Sequence, residues 1–124
     1  MIALDTSVLV EALGAGGSMA EVFREVLQEG ERVVLPTLVL YEWLRGPRIA
    51  PELRAQEALL PADETIPFGP DEAAVAARLY REVRRPRGRE VDLAIAACAL
   101  SWNAALWTLD RRDFEDIPGL RLHG

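Results

Sequence analysis

The sequence predicts an α/β domain with a central, mainly parallel sheet and helices on both faces. Three observations carry that prediction. Short apolar runs alternate with helix-period patterns along the chain. Gly and Pro mark many of the changes from one pattern to the other. The 124 residues, half of them hydrophobic and 27% charged, suit one compact domain, residues 1–124, with its own core.

The elements follow in order. Ile2 to Leu4 reads as a short buried strand, and Thr6 to Leu13 as a helix stopped by Gly14 to Gly17. Ser18 opens an amphipathic helix whose apolar face holds Met19, Val22, Phe23, Val26 and Leu27. Ser18 and Glu21 form a capping-box pattern, and Gly30 is a C-terminal stop. Val33 to Pro36 is a second strand. Thr37 is placed to cap a helix running to Arg45, where Gly46-Pro47 ends it. Pro51 to Leu60 is helical. Glu64 to Phe68 is a strand that Pro67 confines to an edge. Pro70 to Arg85 is a long helix with Pro in its first turn, and Glu90 to Trp102 is another. "AALWTL" is a strand, "DRRDFEDI" a helical turn and "LRLH" a last strand.

Composition excludes several chemistries. All 14 basic residues are arginine, so lysine Schiff bases and phosphate-loop lysines are absent. The only histidine, His123, sits in an expected tail, which argues against Ser-His or Cys-His catalysis and Cys/His zinc sites. A lone Cys98, read as buried, cannot form an internal disulfide and fits a reducing cytoplasm. No secretory leader or membrane-length apolar run is expected. What remains is carboxylate: 20 Asp and Glu and a net charge of −6.

Four of those carboxylates keep apolar company. Asp5 interrupts "LDTSVLV". Glu42 is the only charge in "VVLPTLVLYEWL", and Asp92 the only one in "VDLAIAACAL". Asp110 directly follows "AALWTL". An isolated buried carboxylate is costly, so such groups find a partner or a metal. Asp5 and Asp110 each follow a predicted strand, where open parallel sheets bind ligands. Converging carboxylates repel, and a hard cation such as Mg²⁺ or Mn²⁺ removes that repulsion. Each signal has a plainer reading when taken singly. Asp5 is equally a helix cap, Glu42 a surface residue, Asp92 an acid favoured by a helix dipole and Asp110 a turn cap. The ordered combination raises the metal-site reading.

That combination resembles the PIN-domain family, particularly VapC-like toxins of type II toxin–antitoxin systems. The resemblance rests on "IALDTSVLVEAL", "LPTLVLYEWLRG", "RGREVDLAIAACAL" and "LWTLDRRDFEDIPGLRL", and covers nearly the whole chain. It implies a PIN-like three-layer α/β/α sandwich and Mg²⁺- or Mn²⁺-dependent cleavage of RNA by a homodimer, checked by a cognate antitoxin. Asp5, Glu42 and Asp92 match the family's first three acids. Asp110 is the preferred fourth, with Asp113 as second choice. The resemblance also makes Thr6, Ser7 and Thr108 hydroxyls that orient these ligands, although capping and turn formation are equally good readings.

On this reading Asp5 and Asp92 hold the principal ion, Glu42 and Asp110 complete its surroundings, and a carboxylate takes the proton of the attacking water. In the basic run "REVRRPRGR", Arg87 and Arg89 are the candidates for RNA contact, because they lie in the loop leading to Asp92. Arg81 and Arg84 read rather as a solvated helix face. Trp43, Leu44, Leu59 and Leu60 are candidates for a dimer or antitoxin groove, with core packing the commoner use. Two rivals stand beside this. A phosphotransferase using Asp5 as nucleophile needs a second Asp at position 7, where Ser7 stands, and a lysine. A catalytically inactive PIN-like module would bind RNA or protein without cutting.

Overall fold

The computed structural model describes residues 1–124. Three parallel strands, β1 (Ile2–Leu4), β2 (Val33–Val34) and β3 (Ala105–Trp107), form a sheet in the order β2-β1-β3. Ile2 lies opposite Val33 on one side and Ala105 on the other. Six helices join them: α1 (Thr6–Leu13), α2 (Ala20–Gln28), α3 (Thr37–Arg45), α4 (Ala50–Leu59), α5 (Pro70–Glu82) and α6 (Glu90–Ser101). The chain leaves β1 through α1 and α2 to reach β2, then returns through the other four helices to β3 on the far side of β1. Right-handed connections running in opposite directions put helices on both faces, the three-layer α/β/α arrangement expected. No helix is long and apolar enough to cross a membrane.

Burial explains the sequence patterns. Every residue of β1 is buried, as an apolar run covered on both faces requires. In α6, Leu93 and Ile95 to Ala99 are all buried, so this helix is apolar nearly all round and packs centrally. Cys98 belongs to that core, and burial pushes its thiol up to about 12, which leaves it unreactive. Trp43 is fully buried and Arg48 stacks over its ring at 4.0 Å. Leu60 is buried too, whereas Leu44 and Leu59 are about half exposed, so the four apolar residues flagged for a groove split between core and surface.

Several local expectations change. The second helix starts at Ala20, not Ser18. The backbone N–H and hydroxyl of Ser18 both donate to Glu11 on α1, each at 2.9 Å, so the expected capping box does not form. Val22 lies outside the buried face of α2 and is 44% exposed. Thr37 is the first residue of α3 rather than its cap. Its hydroxyl donates to the Ile66 carbonyl and contacts Thr65. The strands expected at Glu64 to Phe68 and Leu120 to His123 shrink to single bridges, Pro36 with Ile66 and Leu106 with Leu122. His123 is no free tail: its N–H donates to Leu106 and its ring packs edge-on against Trp107 at 4.9 Å. The long fifth helix ends at Glu82, short of Arg84 and Arg85.

Glu52 ties two parts of the scaffold together. One carboxylate oxygen accepts the Ile49 N–H at 2.8 Å, and the other accepts the Ala15 N–H at 2.6 Å from the turn between α1 and α2. These backbone donors hold its carboxyl below the usual range. Glu52→Ala is expected to lower the thermal midpoint by leaving both donors without their acceptor, while the specific activity of the folded fraction is unchanged. Calorimetric unfolding alongside a nuclease assay checks this.

Candidate active site

The switch point of the sheet lies at the carboxyl end of β1, where chain connections depart toward opposite neighbours. Asp5 occupies that point. It is the residue before α1 and is 5% exposed, yet its side chain caps no helix N–H, so the cap reading fails. Instead its Oδ2 accepts two hydroxyls, Thr108 Oγ1 at 2.7 Å and Ser7 Oγ at 3.0 Å. Each hydroxyl in turn accepts a backbone N–H, Thr108 from Asp110 and Ser7 from Leu109, both at 3.0 Å. The orientation of Asp5 is thereby tied to the chain that follows β3. Its Oδ1 makes no hydrogen bond and stays open to a ligand.

Glu42 reaches the same place from α3. Thr6 Oγ1 donates to its Oε1 at 2.5 Å, and Arg45 stands 3.5 Å from its Oε2 in an exposed pair. All three hydroxyls singled out in the sequence therefore touch carboxylates: Thr6 on Glu42, Ser7 and Thr108 on Asp5.

Asp92 lies in the first turn of α6, half-buried and without a hydrogen bond. A helix N-terminus favours negative charge, but here other effects win. Burial, followed by the charges of Asp5, Asp113 and Glu42, pushes its carboxyl up to about 6, and Arg89 offsets only part of this. Asp110 is also raised, by burial and then by Asp5 and Asp113. The structure thus brings Asp5, Glu42 and Asp92 into one field, and both candidates for the fourth acid join it. Asp110 faces Asp5 and Asp113, whereas Asp113, from the 3₁₀ turn Arg111–Asp113, also acts on Asp92.

The two arginines expected near RNA differ. Arg87 is exposed and unpaired. Arg89 grips Asp116 with two hydrogen bonds, at 2.6 and 2.9 Å, and also donates to the Asp113 carbonyl at 2.9 Å. It fastens the start of α6 to the segment carrying Asp113. The hydrogen bonds from Arg89, helped by its charge, hold the Asp116 carboxyl below its usual range. Asp116 had no local signal in the sequence, since its partner is distant along the chain.

The donors suit a hard divalent ion: all are carboxylate oxygens, one of Asp5's is free, and Asp92 is wholly unpartnered. No three of these side chains are placed to ligate one ion together. A shell finished by water is how Mg²⁺ is usually held.

A carboxylate cluster at the switch point of a parallel sheet between helical layers defines a class of protein, and the chain belongs to the PIN-domain family, which matches residues 2–120. Within that family it is VapC-like. It is 34% identical over 120 residues to Ribonuclease VapC19 of Mycobacterium tuberculosis, covering 95% of each chain. Its fold is similar to VapBC2 from Rickettsia felis bound to a promoter DNA fragment, with a TM-score of 0.78 and 25% identity over 99% of this chain and 98% of that one. DNA-bound VapBC from Salmonella typhimurium gives a TM-score of 0.79 over 98% and 96% of the two chains, at 22% identity, a likeness of fold alone.

Proposed function

We propose that this protein is a Mg²⁺- or Mn²⁺-dependent endoribonuclease, the toxin of a toxin–antitoxin pair, acting as a homodimer. The observation that carries the reading is Asp92: half-buried, without a hydrogen bond, and raised by burial and by three other carboxylates. A group so placed gains from a cation and gives little to the fold. The likeness to Ribonuclease VapC19 of Mycobacterium tuberculosis supports RNA as substrate, and the likeness to VapBC2 from Rickettsia felis supports an antitoxin as partner.

Asp5 Oδ1 and Asp92 would hold the ion, with Glu42 and Asp110 or Asp113 completing its surroundings. When bound, such an ion lowers the pKa of water and offsets charge developing on the phosphate oxygens. The chain's own residues do the rest. Thr108 and Ser7 fix Asp5. Thr6 occupies Glu42 Oε1, and Oε2, met only by the long 3.5 Å contact from exposed Arg45, is the oxygen to accept the proton of the attacking water.

Calorimetric Mn²⁺ titration and RNA cleavage with and without chelator test the reading. Metal binding is expected, with cleavage abolished by chelator and restored by Mg²⁺ or Mn²⁺. Cleavage that persists in chelator, or a protein that binds no metal, would overturn it. The second outcome would favour an inactive binding module.

A further inference from the structure

Beside the carboxylates lies a depression of about 470 Å³ with no apolar lining residue. Its walls are Arg84, Arg85, Arg89, Arg112, Asp113 and Asp116. Arg89 and Asp116 neutralise each other there. The side chains of Arg84, Arg85 and Arg112 make no ion pair or hydrogen bond, although the protein has more acids than bases. They come from separate segments, the connection after α5 and the 3₁₀ turn after β3. Three unpaired guanidinium groups on one concave wall repel one another, and a polyanion relieves that repulsion.

We infer that Arg84, Arg85 and Arg112 form a docking groove for backbone phosphates of single-stranded RNA that flank the bond being cut. The inference rests on the ribonuclease reading. Asp113 lines the groove and also acts on Asp92, so groove and carboxylates are adjacent but distinct. A phosphate in the groove lies next to the reacting one, not at it. Arg89 is a positioning residue that holds the turn carrying Arg112 against α6. Arg87 does not line the groove.

The test compares the parent with R84Q/R85Q/R112Q and R84K/R85K/R112K. Binding of a labelled mixed-sequence single-stranded RNA is measured in chelator over a range of salt. Each phosphate contact on a single strand contributes about 0.7 to the slope of log affinity against log salt, so the glutamine variant is expected to lose about 2. The lysine variant should keep the slope. With metal present, the KM for RNA should rise about tenfold or more in the glutamine variant. Its kcat, and its hydrolysis of bis-para-nitrophenyl phosphate, should not change, because that ester has no flanking phosphate. An unchanged salt slope in a glutamine variant that still hydrolyses the small ester would overturn the groove alone. Failure of the parent to hydrolyse the ester in metal would instead remove the nuclease reading beneath it. If the substitutions weaken binding of poly-glutamate more than of RNA, the groove is a protein-docking surface and the assignment falls.

Discussion

Asp92→Asn is expected to lose RNA cleavage by at least about 10²–10³-fold, and yet to melt at a higher temperature than the parent in metal-free buffer near neutral pH. Both effects have one cause. Asp92 is half-buried, has no hydrogen-bond donor and faces Asp5, Asp113 and Glu42. Its folded pKa, about 6, stands above the ordinary aspartate value of 3.8, so folding favours the protonated form. The stability this group contributes is fully present below about pH 4 and is lost as pH rises through about 6. Asparagine cannot ionise and avoids that loss. The difference in melting temperature between variant and parent should therefore be small in acid, grow across pH 4 to 6 and level off above. In a domain of this size each kcal/mol relieved is worth roughly 3–6 °C. Added Mn²⁺ should then stabilise the parent and not the variant, since only a ligand that prefers the folded form shifts the equilibrium. Scanning calorimetry across that range, with and without Mn²⁺, checks all of this. A melting difference that does not change with pH would show that Asp92 is not held under repulsion. Cleavage at parental rates would remove it from the site.

The anomaly of Asp92 was visible in the sequence, and the reason is physical. A charge inside an apolar run is unfavourable wherever the run folds, so Asp5, Glu42 and Asp92 stood out before any contact was known. The helix ends at Leu13, Arg45 and Ser101 were equally legible, within a residue, because backbone chemistry at the caps and at Gly46 is local. What was hidden depends on tertiary approach. Ser18 carries a capping pattern with Glu21, but Glu11 comes within reach once α2 folds back on α1, and it wins. Two predicted strands became single bridges because an edge segment pairs only as far as its neighbour stays extended. Asp113 stands second to Asp110 in the sequence because Asp110 directly follows the strand, and only the tertiary approach of the 3₁₀ turn to α6 brings Asp113 into the field of Asp92. Arg84, Arg85 and Arg112 share no local motif, so their convergence appears only in three dimensions.

Thr108→Val is expected to weaken Mn²⁺ affinity and cleavage by about 10–100-fold, the usual effect of removing a group that orients a metal ligand. Valine keeps the shape of threonine and deletes its hydroxyl. Asp5 would keep only Ser7 on Oδ2, and the Asp110 N–H would lose its acceptor at a site where Thr108 is 3% exposed. Some loss of stability should accompany this, so the decisive comparison is Thr108→Ser. Serine restores the hydroxyl, and with it metal affinity, even if packing of the missing methyl is imperfect. Parental Mn²⁺ affinity in the valine variant would show that the hydroxyl does not hold Asp5. The chemistry explains why a hydroxyl is used here rather than a cation. A guanidinium would fix the carboxylate equally well, but it would also neutralise it and compete with a divalent ion for the same charge. Thr108, Ser7 and Thr6 each supply one neutral hydrogen bond, to one oxygen of one carboxylate. They restrict rotation and leave the negative charge in place, and the fold bears the resulting repulsion at Asp92.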